Sequence, residues 1–157
     1  TLNSGIALKR RIIEDLRPSS LSNLGLVASL EILAREFSER SGIEIGSVLD
    51  EVSLDDSLQL TVYRLVQESL TNVGKYAQAR QVDINLKRYE NHVEVEIRDD
   101  GQGFDTSAVR PSTHGLAGMR HRVEAAGGRL TVTSAPGQGT RIFAVLPATT
   151  AQQAAPH

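Results

Sequence analysis

The stretch "EIRDDGQGFD", Glu96 to Asp105, decides how the rest of the chain is read. It leaves an alternating apolar run (Val93, Val95, Ile97), passes through the adjacent carboxylates Asp99 and Asp100, and enters glycines at 101 and 103 followed by Phe104. Two glycines one residue apart permit positive φ and a close approach to the backbone, more freedom than a plain turn needs. Acids and glycines also favour ordinary turns, so the loop alone leaves a connection and a binding loop both open. A carboxylate at a strand end is the kind of acceptor that reads an exocyclic amine such as that of adenine, a charged hydrogen bond worth about 1.5–3 kcal/mol.

Upstream of the loop, Val82, Ile84 and Leu86 alternate, "YENH" (Tyr89–His92) turns, and the run that ends at Ile97 alternates again, as an antiparallel hairpin with one buried face does. Before it lies the longest predicted helix, with a buried stripe of Leu58, Val62, Leu65, Val66, Ser69, Leu70 and Val73. Ser53 and Asp56 stand at capping-box spacing at its start, with Asp in place of the usual Glu. Further upstream, Ile6 to Leu16 predicts a short helix ended by Pro18. Asn23 is the expected cap of a second helix whose stripe is Leu26, Leu30, Leu33, Ala34 and Phe37 and whose stop is Gly42, and "GIEIGSVLD" (Gly42–Asp50) alternates like a short strand. Downstream, "GLAGMRHRVEAAGG" (Gly115–Gly128) predicts a helix, followed by strand "RLTVTS", turn "APGQG" and strand "TRIFAVLP". Strands gathered in the second half predict an α+β two-layer sandwich: a mixed, largely antiparallel sheet of about five strands with helices on one face. The expected division is 1–20 as the end of an upstream helix and linker, 21–148 as the globular domain and 149–157 as a disordered, small-residue tail.

At 157 residues the chain can bury a core without disulfides. The balance of 17 basic against 19 acidic residues, a formal charge of −2, supplies no field for general nucleic-acid binding, so any bound anion must be held locally. The absence of cysteine excludes thiolate catalysis and Cys-type zinc sites. No run approaches the length of a membrane span and the first residues lack the order of a signal peptide, which leads to the expectation of a soluble, cytoplasmic piece whose parent is open to anchoring in the inner membrane.

Three further features bear on chemistry. On the long helix Glu68 and Asn72 are four residues apart, with Arg64 and Lys75 extending the same side. That is either a solvated face or, since Asn is a poor mid-helix residue and Glu with Asn supplies oxygens, part of a Mg²⁺ site that borrows phosphate oxygens. "HGLAGM" (His114–Met119) sets two glycines before the free N–H groups of a helix, where phosphate is favoured. "GQGT" (Gly137–Thr140) alone is a glycine-rich hairpin turn.

Taken in order, Glu-x-x-x-Asn on a helix, Asp-x-Gly-x-Gly, Gly-x-x-Gly and Gly-x-Gly-Thr make the chain resemble the ATP-binding catalytic domain of sensor histidine kinases, the Bergerat fold shared with gyrase, Hsp90 and MutL-type ATPases. "QESLTNVGKYAQA" resembles the N box, "DDGQGFD" the first glycine box, and "HGLAGMRHRVEAAGG" with "GQGT" the second; the match runs over roughly residues 23 to 147. "EDLRPSSLSNLGLVASLEILAREF" (Glu14–Phe37) is similar to the segment that leads into the ATPase domain in the nitrate-sensor-type subfamily.

The resemblance implies ATP and Mg²⁺ as cofactors. It implies that Glu68 orients or polarises water near the metal, Asn72 ligates Mg²⁺, Lys75 approaches phosphate and Asp99 takes the adenine amine. Gly101 and Gly103 would let base and ribose lie close to the chain. Gly115, Leu116, Gly118 and Met119 would border the nucleotide beneath a lid of roughly Thr106 to His114, and Thr140 would support the adenine end. Two departures stand out: the family commonly has an aliphatic residue and then His where this chain has Gly74 and Tyr76, and the phosphoacceptor His-acid box is absent. His92, His114, His121 and His157 do not replace it, so the acceptor is expected on a dimerisation domain upstream, in a homodimeric parent that relays phosphate to a response regulator without itself contacting nucleic acid. The rival readings are an anti-sigma-type protein-serine kinase, a non-catalytic nucleotide-sensing module favoured by Gly74 and Tyr76, and a gyrase-like ATPase dimer.

Overall fold

The computed structural model describes residues 18–107 and 115–148. The expected helix of Ile6–Leu16, most of the lid, the tail, His114 and His157 lie outside the described residues. The elements run α1 (Ser19–Leu24), α2 (Leu26–Ser41), β1 (Glu44–Leu49), α3 (Asp56–Asn72), a π-helical turn (Val73–Ala77), β2 (Gln81–Arg88), β3 (His92–Asp99), α4 (Leu116–Ala125), β4 (Arg129–Ser134) and β5 (Thr140–Pro147).

The five strands form one mixed sheet in the order β1-β2-β3-β5-β4. Among the described residues only the β1–β2 pair is parallel. A parallel pair needs a crossover between its strands, and α3 is that crossover. The alternation read from the sequence sets the two faces: Val82, Ile84 and Leu86 of β2, Val93, Val95 and Ile97 of β3, and Ile142, Ala144 and Leu146 of β5 are buried on one side. Gln81, Asp83 and Lys87 stand exposed on the other. There Glu96 pairs with Arg98 and Arg141. The buried face is covered by the helices, and the expected stripe of α3 is buried in full, with Tyr63 added. The α+β sandwich with about five strands therefore holds.

Two local expectations change. Asn23 is not a cap: it lies inside α1, and the chain breaks at Gly25 (φ 87°), whose carbonyl accepts from the Ser29 hydroxyl at 2.7 Å as α2 begins. A positive φ serves the break better than an Asn side chain, because it turns the chain between two helices that follow without a linker. The cap of α3 is Asp55, whose Oδ1 accepts from the Leu58 N–H at 2.7 Å, and the Ser53–Asp56 capping box is not formed. Asp55 offers a charged acceptor at the positive helix end, which a serine hydroxyl two residues earlier does not. Gly42 stops α2 in the left-handed region as expected, its N–H donating to the Ser38 carbonyl. Among the described residues no helix is long and apolar enough to cross a membrane.

Removing the cap separates these two assignments. Asp55→Ala is expected to lower unfolding free energy by about 1 kcal/mol, whereas Ser53→Ala should leave it within about 0.5 kcal/mol, as measured by urea melts.

Candidate functional site

The alternation of β3 that buries Ile97 also turns Asp99 toward the helices, and the antiparallel register sets Asp99 opposite Thr140 and Ile97 opposite Ile142. These four residues form the sheet side of a pocket of about 180 Å³. Ser69 and Asn72 close it from α3, and Val73, Tyr76 and Ala77 from the π turn. Gln102, Gly103 and Phe104 of the glycine loop and Leu116 at the start of α4 complete it. Apolar walls with a few converging polar groups are the usual make-up of a small-molecule site.

The two adjacent acids do different work. Asp100, at the surface, accepts from the backbone N–H groups of Arg80 (2.8 Å) and Gln81 (3.0 Å), ties the loop to the start of β2, and is held below the usual carboxylate range by those bonds. Asp99 is only 8 % exposed. Burial pushes its carboxyl up, backbone N–H groups of Gly101 and Thr140 oppose the shift, and the neighbouring Asp100 charge adds to it. Its Oδ1 accepts from the Gly101 N–H at 2.8 Å. A buried acceptor in a pocket is thus held by its own loop, under a desolvation cost that a donor in the pocket would offset.

The glycines of the loop are explained by the protein itself. A Cβ at Gly101 would fall on the Ala77 carbonyl, and one at Gly103, where φ is +65°, on the Ala135 carbonyl. Gly139 is the same case, since its Cβ would fall on the Asp99 carbonyl. The Gln102 N–H donates to the Ala77 carbonyl at 2.7 Å and the Gly137 N–H to the Gln102 carbonyl at 2.6 Å. Ser134 joins the pieces, its hydroxyl accepting from the Phe104 N–H (2.9 Å) and lying 3.0 Å from the Gly139 carbonyl and 2.9 Å from the Thr140 hydroxyl.

Of the residues singled out in the sequence, Asn72, Asp99, Gly103, Leu116 and Thr140 come together around the pocket. Glu68, one turn before Asn72, rests against Gly115: its Oε1 lies where a Cβ of that residue (φ +70°) would be. Gly101 packs behind the loop, and Gly118 is open to solvent. Met119 is buried, its sulfur accepting from the Ser69 hydroxyl at 3.8 Å, one layer behind the pocket wall. Lys75 is exposed on the π turn and outside the pocket lining. Arg64, one turn before Glu68, donates to the Gln67 side chain at 2.7 Å. Sequence reading did not assign Ser69, Ile97, Gln102, Phe104 or Ile142 to the site, and it met Tyr76 only as a departure. Ile97 and Ile142 were reachable, since each stands two residues from a polar pocket residue on the same strand face. His92 and His121, the described histidines, are not in the pocket lining.

Residues 57–150 match the family described as histidine kinase-, DNA gyrase B-, and HSP90-like ATPase. The chain is 34% identical over 151 residues to the signal transduction histidine-protein kinase/phosphatase DegS of Brevibacillus brevis, covering 95% of this chain and 39% of that protein. It is 34% identical over 143 residues to the oxygen sensor histidine kinase NreB of Staphylococcus carnosus, covering 89% and 41%. The chain thus spans about two fifths of these relatives, and they support the subfamily expected from the segment Glu14–Phe37. The histidine kinase domain of the Erythrobacter litoralis EL346 blue-light activated histidine kinase shares the fold, with a TM-score of 0.69 at 25% identity over 82% of this chain and 66% of that one.

Glycine loops that serve ligand approach and glycine loops that serve packing respond differently to an added methyl. Gly101→Ala, which drives Cβ into a backbone carbonyl, is expected to destabilise the unliganded domain by about 1–3 kcal/mol, read from its thermal melt without any ligand.

Proposed function

Since the chain belongs to the histidine kinase-, DNA gyrase B-, and HSP90-like ATPase family and is an ATP-binding catalytic domain of the sensor histidine kinase kind, we propose that it delivers the γ-phosphoryl of ATP to a histidine on an upstream dimerisation domain of its parent, for relay to a response regulator. The observation that carries the nucleotide site is the Asp99 carboxylate, buried at the end of β3 in a pocket with apolar walls. It accepts the adenine amine. Ile97, Val73, Ala77 and Ile142 cover the faces of the base, and Tyr76 offers an aromatic face at the rim. Thr140, held by Ser134, supports the same end.

The phosphates extend from the base toward Asn72 and the start of α4. Among the described residues no three His, Cys, Asp or Glu side chains gather to hold a metal by themselves. An amide and a carboxylate one helical turn apart do suit Mg²⁺, which keeps waters and phosphate oxygens in its shell. Asn72 would ligate it, Glu68 would act through water, and the ion would neutralise phosphate charge. The chain's own part is positioning. It fixes the γ-phosphorus in line with the incoming neutral imidazole, whose nitrogen forms the new N–P bond as the bond to the bridging oxygen of ADP breaks and the imidazole releases its N–H proton. Glu68, within reach of the start of α4, orients the attacking group or takes that proton. Within the N-box departure from the family pattern, Tyr76 belongs to the pocket wall and Gly74 leaves room for Phe37, which gives each residue a place in the structure without a merely sensing role.

The Asp99 reading predicts a separation of stability from binding. A folded pKa above the unfolded value means that the ionised carboxylate costs the fold stability; that cost is full above the folded pKa and is relieved as pH falls through it. Asp99→Asn should therefore melt no lower than wild type at neutral pH, yet bind ATP about 10- to 100-fold more weakly by calorimetry. Wild-type affinity should also fall with decreasing pH as Asp99 protonates, above the ordinary carboxylate range, and the variant should lack that step.

The catalytic reading predicts that Glu68→Gln keeps ATP affinity within about threefold of wild type while losing phosphotransfer by about 100-fold or more. Asn72→Ala is expected to lose both. Transfer of label from γ-labelled ATP to the histidine-bearing domain of the same parent measures it, and label on His92, His114, His121 or His157 would contradict the division of labour.

A further inference from the structure

The π turn that follows α3 carries Lys75 and Tyr76, yet its own sequence gives it little support. A π-helical turn is rare and frequently sits at functional sites, and Gly74 inside it costs about 1 kcal/mol relative to Ala while contributing no side chain to pack. Its support comes from two neighbours. On the far side the loop holds it, the Tyr76 carbonyl accepting from Gln102 Nε2 at 2.5 Å and the Ala77 carbonyl from Gln102 N–H at 2.7 Å. On the near side the ring of Phe37 in α2 occupies the space beside Gly74. A Cβ at Gly74 would lie 3.2 Å from Phe37 Cε2 and 3.7 Å from Cζ, closer than a methyl packs without displacing its neighbour. Phe37 is 4 % exposed, and the Arg40 guanidinium lies 5.9 Å from its ring centroid, so the ring has little room to withdraw.

We propose that Phe37 is a positioning residue for the nucleotide site, its ring seated on Gly74 to hold the π turn that presents Lys75 and Tyr76. The assignment rests on the nucleotide reading above and explains why this chain has Gly at position 74: the aromatic ring from another helix fills the space a side chain would take. Lys75 and Tyr76 lie between two anchors, Phe37 beneath Gly74 and Gln102 above residues 76 and 77. Tyr76 stands 43 % exposed at the pocket rim. Any displacement of α2 along α3 would act on the base-covering side of the pocket through this contact.

The test compares wild type, Gly74→Ala, Phe37→Leu and the double variant by two readouts. The first uses unliganded protein: backbone amide shifts and hydrogen exchange at residues 74–77 and 101–102. The second is the calorimetric Kd for ATP with Mg²⁺. Each single change is expected to move those amides, speed their exchange about tenfold and weaken ATP binding about three- to tenfold, although Ala is the better helix former. The double variant should return to within about twofold of wild type, because the shorter Leu admits the added methyl. Unmoved amides at 74–77 in Gly74→Ala, or single effects on Kd that simply add, would overturn the assignment. If Phe37→Leu only lowers the melting temperature with turn amides and Kd unchanged, the ring is core and nothing more. A wild-type protein that binds no ATP would refute the nucleotide reading, and the amide readout would still decide the role of Phe37.

Discussion

Backbone packed against backbone is the constraint on which the site depends. The carbonyl oxygens of Ala77, Ala135 and Asp99 lie where Gly101, Gly103 and Gly139 would otherwise carry Cβ atoms. Through these contacts the loop after β3 is fastened on one side to the π turn at the end of the long helix and on the other to the β4–β5 connection. Ser134 closes the arrangement with hydrogen bonds to Phe104, Gly139 and Thr140. Without side chains at those three positions, elements far apart in the chain meet at one end of the sheet and leave a pocket between them. The sheet supplies the floor by the same logic that builds the core, since the register that pairs Ile97 with Ile142 pairs Asp99 with Thr140 one step further on.

That arrangement holds a carboxylate where a carboxylate is costly. Burial pushes Asp99 up, and two backbone N–H groups answer only part of the penalty. Buried charges are tolerated when something pairs with them, and a ligand amine is such a partner. Its neighbour Asp100 has the opposite setting, solvent-exposed and stabilised by the N–H groups at the start of β2. One acid therefore fixes the loop while the other faces the pocket, a division that adjacent identical residues do not announce.

Most of the architecture was legible because it rests on periodicity. The alternation of Val82, Ile84 and Leu86 and of Val93, Val95 and Ile97, and the stripe on the long helix, each encode which face is buried; the parallel pairing of β1 with β2 across α3 is not encoded that way. What was not legible depends on tertiary partners. Asp55, not Ser53, caps α3, because cap choice turns on a local geometry that spacing leaves open by a residue or two. The π turn has no signature of its own. Glycines at 101 and 103 announce a close approach but not by what, and the answer within the protein is its own backbone. Gly74 and Tyr76 read as departures from a family pattern until Phe37 and the pocket give each a neighbour. Met119, grouped with the nucleotide contacts by motif, lies one layer behind Ser69 in the core.

The central claim is that this pocket reads adenine through an acceptor at Asp99. Guanine presents a carbonyl oxygen where adenine presents its amine, and two acceptors facing each other leave a buried charge without a donor. Calorimetric titration of the domain with ATP and with GTP, each with Mg²⁺ at the same pH, is the most direct measurement. The account predicts ATP binding at least about tenfold tighter than GTP, the worth of one charged hydrogen bond. Equal affinities for the two nucleotides would contradict it.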